Sequence, residues 1–475
     1  MTDVQASLEE YRGRREALEA ALLPLATSVD GRRFSFQVSL HGLELEPGGY
    51  VAIEEDGSTR LGQLLSLELR HQDTTAPGLG EVRIRAGAGD GVVLHGDGRP
   101  FHDALVRRAT SDEVGAWLEG TRPDRAQLDV GELALAHGVP FRLDAGGFGR
   151  HTFLCGQSGS GKTYSLGVLL ERLLMETNLR VVVLDPNSDY VRLGEPRVDD
   201  ERYRDAAASV HVRGGSGGPD PIRVRFRDLS PVHQAGLLRL DPLGDRAEYG
   251  ELLALVEDES IRSLEDLAES PAEGLKLRVR NLGIDRFGIW HGPEGESLLD
   301  ELVSPAGPRC LVVDLGSLGT REEQTLTAGA ILERLWRERG RREPVAIVID
   351  EAQNVCPAEP TDPLTELATE DAIRIAGEGR KFGLYLIVVT QRPQKIHENV
   401  LSQCDNLVLM RMNSVADLAY VAAVFSFVPQ GLVDRATAFG QGEALAAGKI
   451  ASHPALVRFG FRISYEGGAD VAGWT

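Results

Sequence analysis

Apolar residues repeat along the chain with three spacings, and each spacing predicts a different kind of element. Between residues 4 and 23 they recur at helical spacing among Glu and Arg, which predicts one amphipathic helix that ends near Pro24. Across residues 33–108 they alternate with polar residues in short runs between glycine-rich turns, a pattern typical of a small β-barrel or sandwich. From about Gln127, apolar strands alternate with helical segments, which indicates an α/β domain with a mostly parallel sheet.

The α/β part contains continuous apolar runs of the kind that form strands buried on both faces. These runs are HTFLCG, RVVVLDP, CLVVDLG, VAIVIDE, GLYLIVVTQ and NLVLMRM. A long polar stretch without strand signals, at about residues 230–303, predicts a helical insertion packed on the edge of the sheet. The predicted organisation is an N-terminal helix (1–30), a β-barrel (31–120), an α/β domain with the insertion (121–465) and a C-terminal tail (466–475).

Composition and charge exclude several classes of protein. The chain has 475 residues, 42% apolar and 26% charged, which is ordinary for a soluble globular protein of two to four domains. It has no apolar run near 18 residues and no secretory-signal pattern at its N-terminus, so we expect a cytoplasmic protein that does not bind membranes. Its net charge of −21 argues against coating nucleic acid with the whole surface, although a confined basic channel is compatible with it.

The strongest chemical signal is GQSGSGKT at residues 156–163, which fits the phosphate-loop pattern G-x-x-x-x-G-K-[ST] between a predicted strand and a predicted helix. Its glycines let backbone N–H groups surround a phosphate, and the helix N-terminus adds partial positive charge. In this motif the lysine reaches the β- and γ-phosphates and the hydroxyl ligates Mg²⁺. We therefore expect ATP and Mg²⁺ here, with Thr163 on the metal. The expected nucleotide contacts are Gly156, Gln157, Ser158, Gly159, Ser160, Gly161, Lys162, Thr163, Tyr164 and Arg150.

Two acids, Asp350 and Glu351, end the strand VAIVIDE, and Gln391 ends the strand GLYLIVVTQ. Ligands of open α/β sheets bind at the carboxyl ends of the strands. Asp350 would hold Mg²⁺ directly or through water, and Glu351 would act as the general base. Gln391 would act as a sensor, because its amide can bond both the γ-phosphate and the attacking water. Taken alone, the acids also fit a helix start and Gln391 a turn before Pro393.

Phosphoryl transfer also needs a cation on the transferring group, often an arginine from a neighbouring subunit. Arg380 is the first choice, because a glycine-flanked arginine just before a strand is not expected in the core. A solvated surface arginine is the competing interpretation for each candidate, and for Arg374 it is the better one. The remaining candidates are Lys381, Arg411 in VLMRM and Arg150 just before the first strand of the α/β domain.

The order of these motifs resembles the HerA branch of the HerA/FtsK ATPases, which are hexameric DNA-translocating motors. The resemblance extends over nearly the whole chain. It includes LDVGELALAHGVPFRLDAGGFGRHTFLCGQSGSGKT, VVVLDPNSDYVRL and, most specifically, RKFGLYLIVVTQRPQKIHENVLSQCDNLVLMRMNSVADL. GYVAIEEDGSTRLGQLLSLEL is similar to the family's N-terminal HAS barrel. Two departures are Asp189, where the family's DPxxEY pattern has Glu, and Gln353, where many relatives have His.

The resemblance implies a RecA/FtsK-like P-loop ATPase fold and a homohexamer with DNA in a central channel. It places Arg380 and Arg411 on family arginines that act across subunit interfaces, and Arg150 near one more. The implied function is an ATP-dependent DNA translocase or helicase, in DNA processing or phage defence. No nuclease pattern is visible in this chain, so the expected effector partner is a NurA-like or other nuclease.

Two other functions compete with this interpretation. One is a nucleotide-gated assembly ATPase that scaffolds an effector with weak or no DNA translocation, which the net charge of −21 slightly favours. The other is a metabolic P-loop kinase, which is disfavoured because no lid or acceptor-site pattern follows the phosphate loop.

The segment VHVRGGSGGPDPIRVRFRD is the candidate DNA-contacting loop. Arg223, Arg225 and Arg227 alternate with apolar residues, which predicts three arginines on one face of a strand. Arg213 precedes the glycine-rich turn, and Lys395 is a second candidate after the sensor strand. Their phosphate contacts would be independent of DNA sequence. An ordinary hairpin with a basic outer face is an equally good interpretation.

Overall fold

The structure is a computed structural model that describes residues 2–20, 24–39, 44–76, 80–258, 261–292 and 294–468. It begins with helix α1 (Thr2–Ala20), which is followed by an antiparallel sheet and then by a larger mixed sheet. Among these residues, no helix is both long and apolar enough to cross a membrane.

The first sheet contains seven strands, six of which close into a barrel. They are β1 (Leu25–Ser28), β2 (Arg33–Ser39), β3 (Tyr50–Glu55), β4 (Ser58–Leu64), β5 (Glu68–Ala76), β6 (Gly80–His95) and β7 (Phe101–Arg108). The order β2-β1-β7-β3-β4-β6 closes through the β2–β6 pairing, and β5 pairs on β6. Phe34, Phe36, Ile53 and Phe101 are buried inside, so alternating side chains fill the barrel.

Strand β1 corrects the predicted extent of the N-terminal helix, residues 1–30. Residues 25–28 pair with β2 on one side and β7 on the other, so they belong to the barrel. Ala26 and Ser28 alternate with more exposed neighbours, as in a half-buried strand. The short segment has too few alternating positions to be recognised as a strand by pattern.

The second sheet has eleven strands and carries the predicted motifs. They are β8 (Gln127–Leu133), β9 (Pro140–Asp144), β10 (His151–Cys155), β11 (Arg180–Asp185), β12 (Val210–Arg213), β13 (Cys310–Asp314), β14 (Val345–Ile349), β15 (Leu384–Thr390), β16 (Cys404–Met410), β17 (Glu443–Gly448) and β18 (Ala455–Phe459). Their order is β12-β13-β11-β14-β15-β10-β16-β17-β18-β8-β9. The pairings from β12 to β16 are parallel, and those from β16 to β9 are antiparallel.

Helices cover both faces of this sheet, which gives two cores. In β14, Ile347 and Ile349 point into one core and Ala346 and Val348 into the other. The helices are α2 (Ser111–Thr121), α3 (Lys162–Glu176), α4 (Glu201–Ala208), α5 (Pro231–Leu237), α6 (Arg246–Glu257), α7 (Leu264–Glu269), α8 (Glu273–Leu282), α9 (Leu298–Val303), α10 (Arg321–Arg337), α11 (Pro363–Glu378), α12 (Glu398–Leu401), α13 (Val415–Val424) and α14 (Gln430–Val433). The predicted fold class, a parallel-rich P-loop sheet with an N-terminal barrel, is confirmed.

Helices α5 to α9 form the segment between β12 and β13, which is the position of the predicted helical insertion. The insertion packs mainly on other helices: α5 lies against α11, and α9 lies against α10. It also meets the edge strand β12, where Arg213 forms an ion pair with Glu301 of α9.

The predicted arginine strand at residues 222–227 is wrong as a strand. Val224 forms one isolated bridge with Trp290, and Phe226–Asp228 forms a 3₁₀ turn. Backbone bonds of this segment go singly to residues of the insertion, such as the Val224 N–H that donates to the Ile289 carbonyl. The alternation itself remains, because Val224 and its apolar neighbours are buried while Arg223 and Arg227 are exposed.

Candidate functional site

The predicted motif residues meet at one edge of the large sheet. Strands β11, β14, β15, β10 and β16 are parallel neighbours, so their carboxyl ends are adjacent. The phosphate loop (residues 156–163) follows β10 and leads into α3, and the acid pair follows β14. Gln391 follows β15, and Arg411 follows β16. The topology therefore assembles one site from segments that are far apart in sequence.

Glycine is required at several points of the phosphate loop. Gly159 and Gly161 have φ values of 72° and 95°, a left-handed conformation that costs other residues energy. A Cβ at Gly156 would lie 2.7 Å from the Cβ of Met410 and 2.8 Å from Oγ of Ser160. The Ser160 hydroxyl is itself buried and has no hydrogen-bond partner among the residues that the structure describes. The loop is thus a tight backbone turn.

The loop and the start of α3 form an anion-binding cradle. The N–H groups in the first turn of α3 have no intrahelical acceptor, and the 15-residue helix adds partial positive charge there. The Lys162 ammonium donates to the Gln157 carbonyl at 3.3 Å, across the loop. Burial lowers the pKa of Lys162, while the charges of Glu351 and Asp350 oppose that effect. This arrangement fits a triphosphate.

Oxygen ligands suited to Mg²⁺ lie beside the cradle. The Thr163 hydroxyl donates to Asp189 at 3.3 Å, and Asp350 is buried with its Oδ1 accepting from the Glu351 N–H at 2.9 Å. Burial raises the pKa of Asp350 to about 8, and the charges of Glu351 and Asp185 also act to raise it. A bound cation would favour the ionised carboxylate.

The described residues do not group three or more His, Cys, Asp or Glu side chains into a metal cage. Mg²⁺ usually takes one or two protein ligands and completes its shell with water and phosphate oxygens. The hydroxyl of Thr163 and the carboxylate of Asp350 therefore fit this ion.

Glu351 has a strained backbone conformation, and two amide groups hold its carboxylate. Its φ is 44°, which is unusual for a residue other than glycine. Its two carboxylate oxygens accept from Gln391 Nε2 and Gln353 Nε2, each at 2.6 Å. Thr390 donates to Gln353 Oε1, also at 2.6 Å. A direct hydrogen bond therefore joins Glu351, the predicted base, to Gln391, the predicted sensor.

Sequence patterns missed Thr390 and the role of Gln353 in this network. Gln353, which departs from the resembled family, binds the very carboxylate that precedes it by two positions. A polar residue at the end of the apolar strand β15, next to Gln391, was the available signal for Thr390.

The remaining predicted nucleotide contacts lie around the loop. Arg411 Nη2 donates to the Gly159 carbonyl at 3.0 Å, so Arg411 braces the loop of its own chain. Ser158 is exposed at the loop tip. Tyr164 turns its hydroxyl toward the C-terminal segment, where it accepts from the Arg462 N–H at 2.8 Å.

Arg150 and Arg380 lie at the opposite ends of the strands from the phosphate loop. Arg150 precedes β10, and Arg380 precedes β15, so both are at the amino ends of their strands. The phosphate loop begins where the five-residue strand β10 ends, about 16 Å away along the strand. The structure therefore separates these two arginines from the nucleotide cradle of their own chain.

Sequence patterns also missed a C-terminal segment at residues 460–468 that packs on α3. Arg462 is fully buried, and its Nη1 donates to the Thr163 carbonyl at 3.4 Å. Glu171 of α3 accepts from the N–H groups of Ile463 and Ser464 at 2.9 and 2.7 Å. Residues 466–468, which begin the predicted C-terminal tail, also contact this region, because the Gly467 N–H donates to the Asp189 carbonyl. The rest of the predicted tail lies outside the described residues.

Some of the candidate DNA-contacting residues are already paired with acids of the same chain. Arg213 pairs with Glu301 and Asp220, each at 2.8 Å. Arg225 is also neutralised, by carboxylates at residues 228 and 300. Arg223, Arg227 and Lys395 are exposed. Two of the four predicted arginines are therefore paired with acids, so fewer positive charges are available to DNA than the sequence predicted.

The fold and the cradle together define a P-loop ATPase. The family model described as "Helicase HerA, central domain" matches residues 128–270. The DNA double-strand break repair helicase HerA of Pyrococcus furiosus is 25% identical over 406 residues, which covers 70% of this chain and 69% of the relative. The same-named protein of Sulfurisphaera tokodaii is 26% identical over 405 residues, which covers 78% of this chain and 75% of the relative.

Among solved structures, VirB4 of Thermoanaerobacter pseudethanolicus aligns with a TM-score of 0.50 and 18% identity. The alignment covers 71% of this chain and 97% of that chain, and at this identity it bears on the fold alone. The comparisons confirm the resemblance to HerA-type P-loop ATPases that the motifs indicated. The chain is an ATP hydrolase with a P-loop.

Proposed function

We propose that this chain is an ATP-driven DNA translocase that works as a homohexameric ring. The observation that carries the proposal is the separation of the nucleotide cradle from Arg150 and Arg380, at opposite edges of one sheet. In a ring of identical copies, the arginine edge of one copy can face the cradle of the next. Each nucleotide site would then be completed by a neighbour.

Within one site, this chain's residues divide the work of hydrolysis. The loop N–H groups and Lys162 bind the phosphates, and Thr163 and Asp350 would hold Mg²⁺. When bound, the metal supplies charge neutralisation at the phosphate oxygens. Glu351 orients the attacking water and accepts its proton, and Gln391 links that carboxylate to the γ-phosphate position. Arg411 stiffens the loop from within the chain, and we assign Arg380 to the neighbour's site.

DNA as the translocated polymer rests on the relatives, which are named DNA double-strand break repair helicases. We propose that DNA passes through the ring's channel and that exposed Arg223, Arg227 and Lys395 contact its phosphates. The sequence carries an ATPase motif but no nuclease pattern, so we propose a separate effector such as a NurA-like nuclease. The two proteins would act together in DNA processing or phage defence. We also propose a cytoplasmic location.

The domain limits form part of the same proposal. We place a HAS-like barrel over residues 25–120, with β1 as its first strand, and the motor over residues 121–468. The insertion at about residues 230–303 belongs to the motor, since α5 and α9 pack on its helices.

One observation favours the alternative of an assembly ATPase that scaffolds an effector and binds DNA weakly or not at all. Arg213 and Arg225 are neutralised by neighbouring acids in a chain whose net charge is −21. Fewer free cations in the candidate channel would weaken phosphate binding.

The deciding experiment is steady-state ATP hydrolysis with and without duplex or single-stranded DNA, over about 50 to 200 mM salt. A translocase should hydrolyse ATP faster with DNA, and the stimulation should fade as salt rises, because phosphate contacts release counterions. Lys162→Ala is the control without hydrolysis. An unstimulated ATPase that still forms rings would favour the scaffold instead.

Assembly is tested by light scattering at micromolar concentration with ATP, where we expect the mass of a hexamer. A monomer under those conditions would contradict the ring. Mixing Arg380→Ala chains with Glu351→Gln chains should restore part of the activity, because a site between them can combine one intact cradle with one intact arginine.

A further inference from the structure

An acid that the sequence patterns did not single out, Asp405, lies beside Arg150 and Arg380 at the amino ends of their strands. Asp405 lies near the start of β16, beside the strand ends that position Arg150 and Arg380. Its Oδ2 atom is 3.0 Å from Nη1 of Arg380 and 3.4 Å from Nη1 of Arg150. One carboxylate oxygen therefore holds both guanidinium groups.

This trio is accessible on the surface. The side chains of Arg150, Arg380 and Asp405 are 41%, 46% and 38% exposed. In the part of the chain that the structure describes, both arginines form their ion pairs with Asp405 and with no other acid. Two guanidinium groups at one point repel each other, so they stay together only while an anion lies between them.

The backbone that carries Asp405 is rigid. Its neighbour Asn406 is fully buried and donates through Nδ2 to the Gly147 carbonyl and to Thr152 Oγ1, each at 3.0 Å. Asn406 Oδ1 accepts from the backbone N–H of Lys449 at 2.7 Å. The arginines, by contrast, reach Asp405 on long flexible stems. The carboxylate is therefore the fixed point of the trio, and the arginines are the parts that it orders.

We propose that Asp405 is a positioning residue that gathers Arg150 and Arg380 into the pose in which they enter the neighbouring copy's nucleotide site. The inference rests on the proposed ring, since the trio lies on the edge opposite to its own cradle. Asp405 touches the arginines and not the nucleotide. A phosphate group, which carries more negative charge, can take over the same two guanidinium groups when the copies close on ATP.

Replacing Asp405 with Ala should lower kcat by about 10- to 100-fold, because misplacing a catalytic group by about 1 Å has costs of that size. KM for ATP should change by less than about twofold, since the cradle of each copy is intact. Asp405→Glu keeps the charge on a longer side chain and should recover part of the loss. Asp199→Ala is the matched control, because Asp199 pairs with Arg204 on the exposed surface.

A mixing experiment separates positioning from a structural role. Chains with Asp405→Ala, combined with Glu351→Gln chains, should regain activity, because some interfaces then join an intact base to an intact trio. The variant that lacks both arginines should lose no further activity when Asp405→Ala is added. Such non-additivity is expected when one residue acts through others.

Each outcome has a definite meaning. Wild-type kcat in Asp405→Ala, or an added loss on the double-arginine background, would overturn the role of Asp405. If Arg380→Ala chains are rescued by Glu351→Gln chains while Asp405→Ala chains are not, the ring proposal stands and the Asp405 proposal fails. If neither mixture recovers although the rings are shown to mix, the arrangement across subunits is itself wrong.

Discussion

At the scale of single residues, Glu351 shows how the fold prepares a reactive group. Its left-handed backbone turns the side chain back from the end of β14 toward β15. The carboxylate is then fixed by the Gln391 and Gln353 amides. If Glu351 is the proposed base, it keeps its orientation before any water arrives, so little reorganisation is needed during the reaction.

Glu351→Gln should lower turnover by about two orders of magnitude or more, because it removes the proton acceptor but preserves the shape. ATP affinity should stay close to that of the wild type, since Lys162 and the loop are unchanged. Steady-state hydrolysis and fluorescent-nucleotide titration measure the two quantities. Glu359→Gln, an exposed acid in the loop after the same strand, serves as the control. Near-normal turnover in Glu351→Gln would show that another residue is the base.

The site residues that the sequence could predict are those inside short motifs. The phosphate loop, Asp350, Glu351 and Gln391 each follow an apolar strand, and that local signal placed them at one sheet edge. Asp405 and Arg462 could not be predicted, because their partners lie far away in sequence. Arg462 contacts Thr163 across almost 300 positions, and a single sequence carries no signal for such a contact.

At the scale of elements, the C-terminal segment and α3 are joined by a buried charge pair. Arg462 and Glu171 are both fully buried, with Nε and Oε1 4.0 Å apart. The guanidinium also packs against Gly167, where a Cβ would lie 2.5 Å from its atoms. The segment therefore clamps the helix whose first turn holds the phosphates.

Arg462→Met should destabilise the protein by about 3 kcal/mol, because it removes one of the two guanidinium groups beside buried Glu171, the other being that of Arg172 at 3.3 Å. It also breaks the bonds that Arg462 donates to the Thr163 and Tyr465 carbonyls. The midpoint of urea denaturation, read through the intrinsic fluorescence of the tryptophans, measures the change. Arg204→Ala is the control, since this exposed arginine pairs with exposed Asp199 and should contribute about 1 kcal/mol or less. Equal effects of the two substitutions would argue against a buried clamp.

The element pattern of the parallel strands was predictable because each is a continuous apolar run between helices. Residues 222–227 were predicted as a strand because buried and exposed residues alternate. The same alternation arises here in an irregular segment, because its apolar side chains pack on the helical insertion. Val224 bonds to the insertion through its N–H, which donates to Ile289, and its carbonyl, which accepts from His291. The sequence predicted an insertion at the edge of the sheet but carried no signal that residues 222–227 would dock on it.

At the scale of the whole molecule, the net charge of −21 sets the condition for DNA binding. Surface acids beyond about 8–10 Å are screened at physiological salt, so local cations in a channel can dominate. In the proposed ring, six copies would bring the exposed arginines close to the same strand of DNA.

Replacing Arg223 and Arg227 together with Ala should weaken DNA binding equally for unrelated sequences. It should also flatten the salt dependence of binding, by about one unit in the slope for each phosphate that is no longer bound. Fluorescence anisotropy over a salt series measures both effects. Arg225→Ala should instead mainly affect stability, because Arg225 is already paired with Asp228. Wild-type DNA binding by the double variant would remove this segment from the channel.

The antiparallel side of the large sheet has a consequence for biosynthesis. Strand β8 pairs with β18, although more than 300 residues separate them in the chain. At about 5–20 residues per second, a ribosome needs roughly 15 to 65 s to deliver the second strand after the first. During that time the β8–β9 hairpin has an open edge, which is a hazard for aggregation. The nascent chain therefore exposes that edge until β18 has been translated.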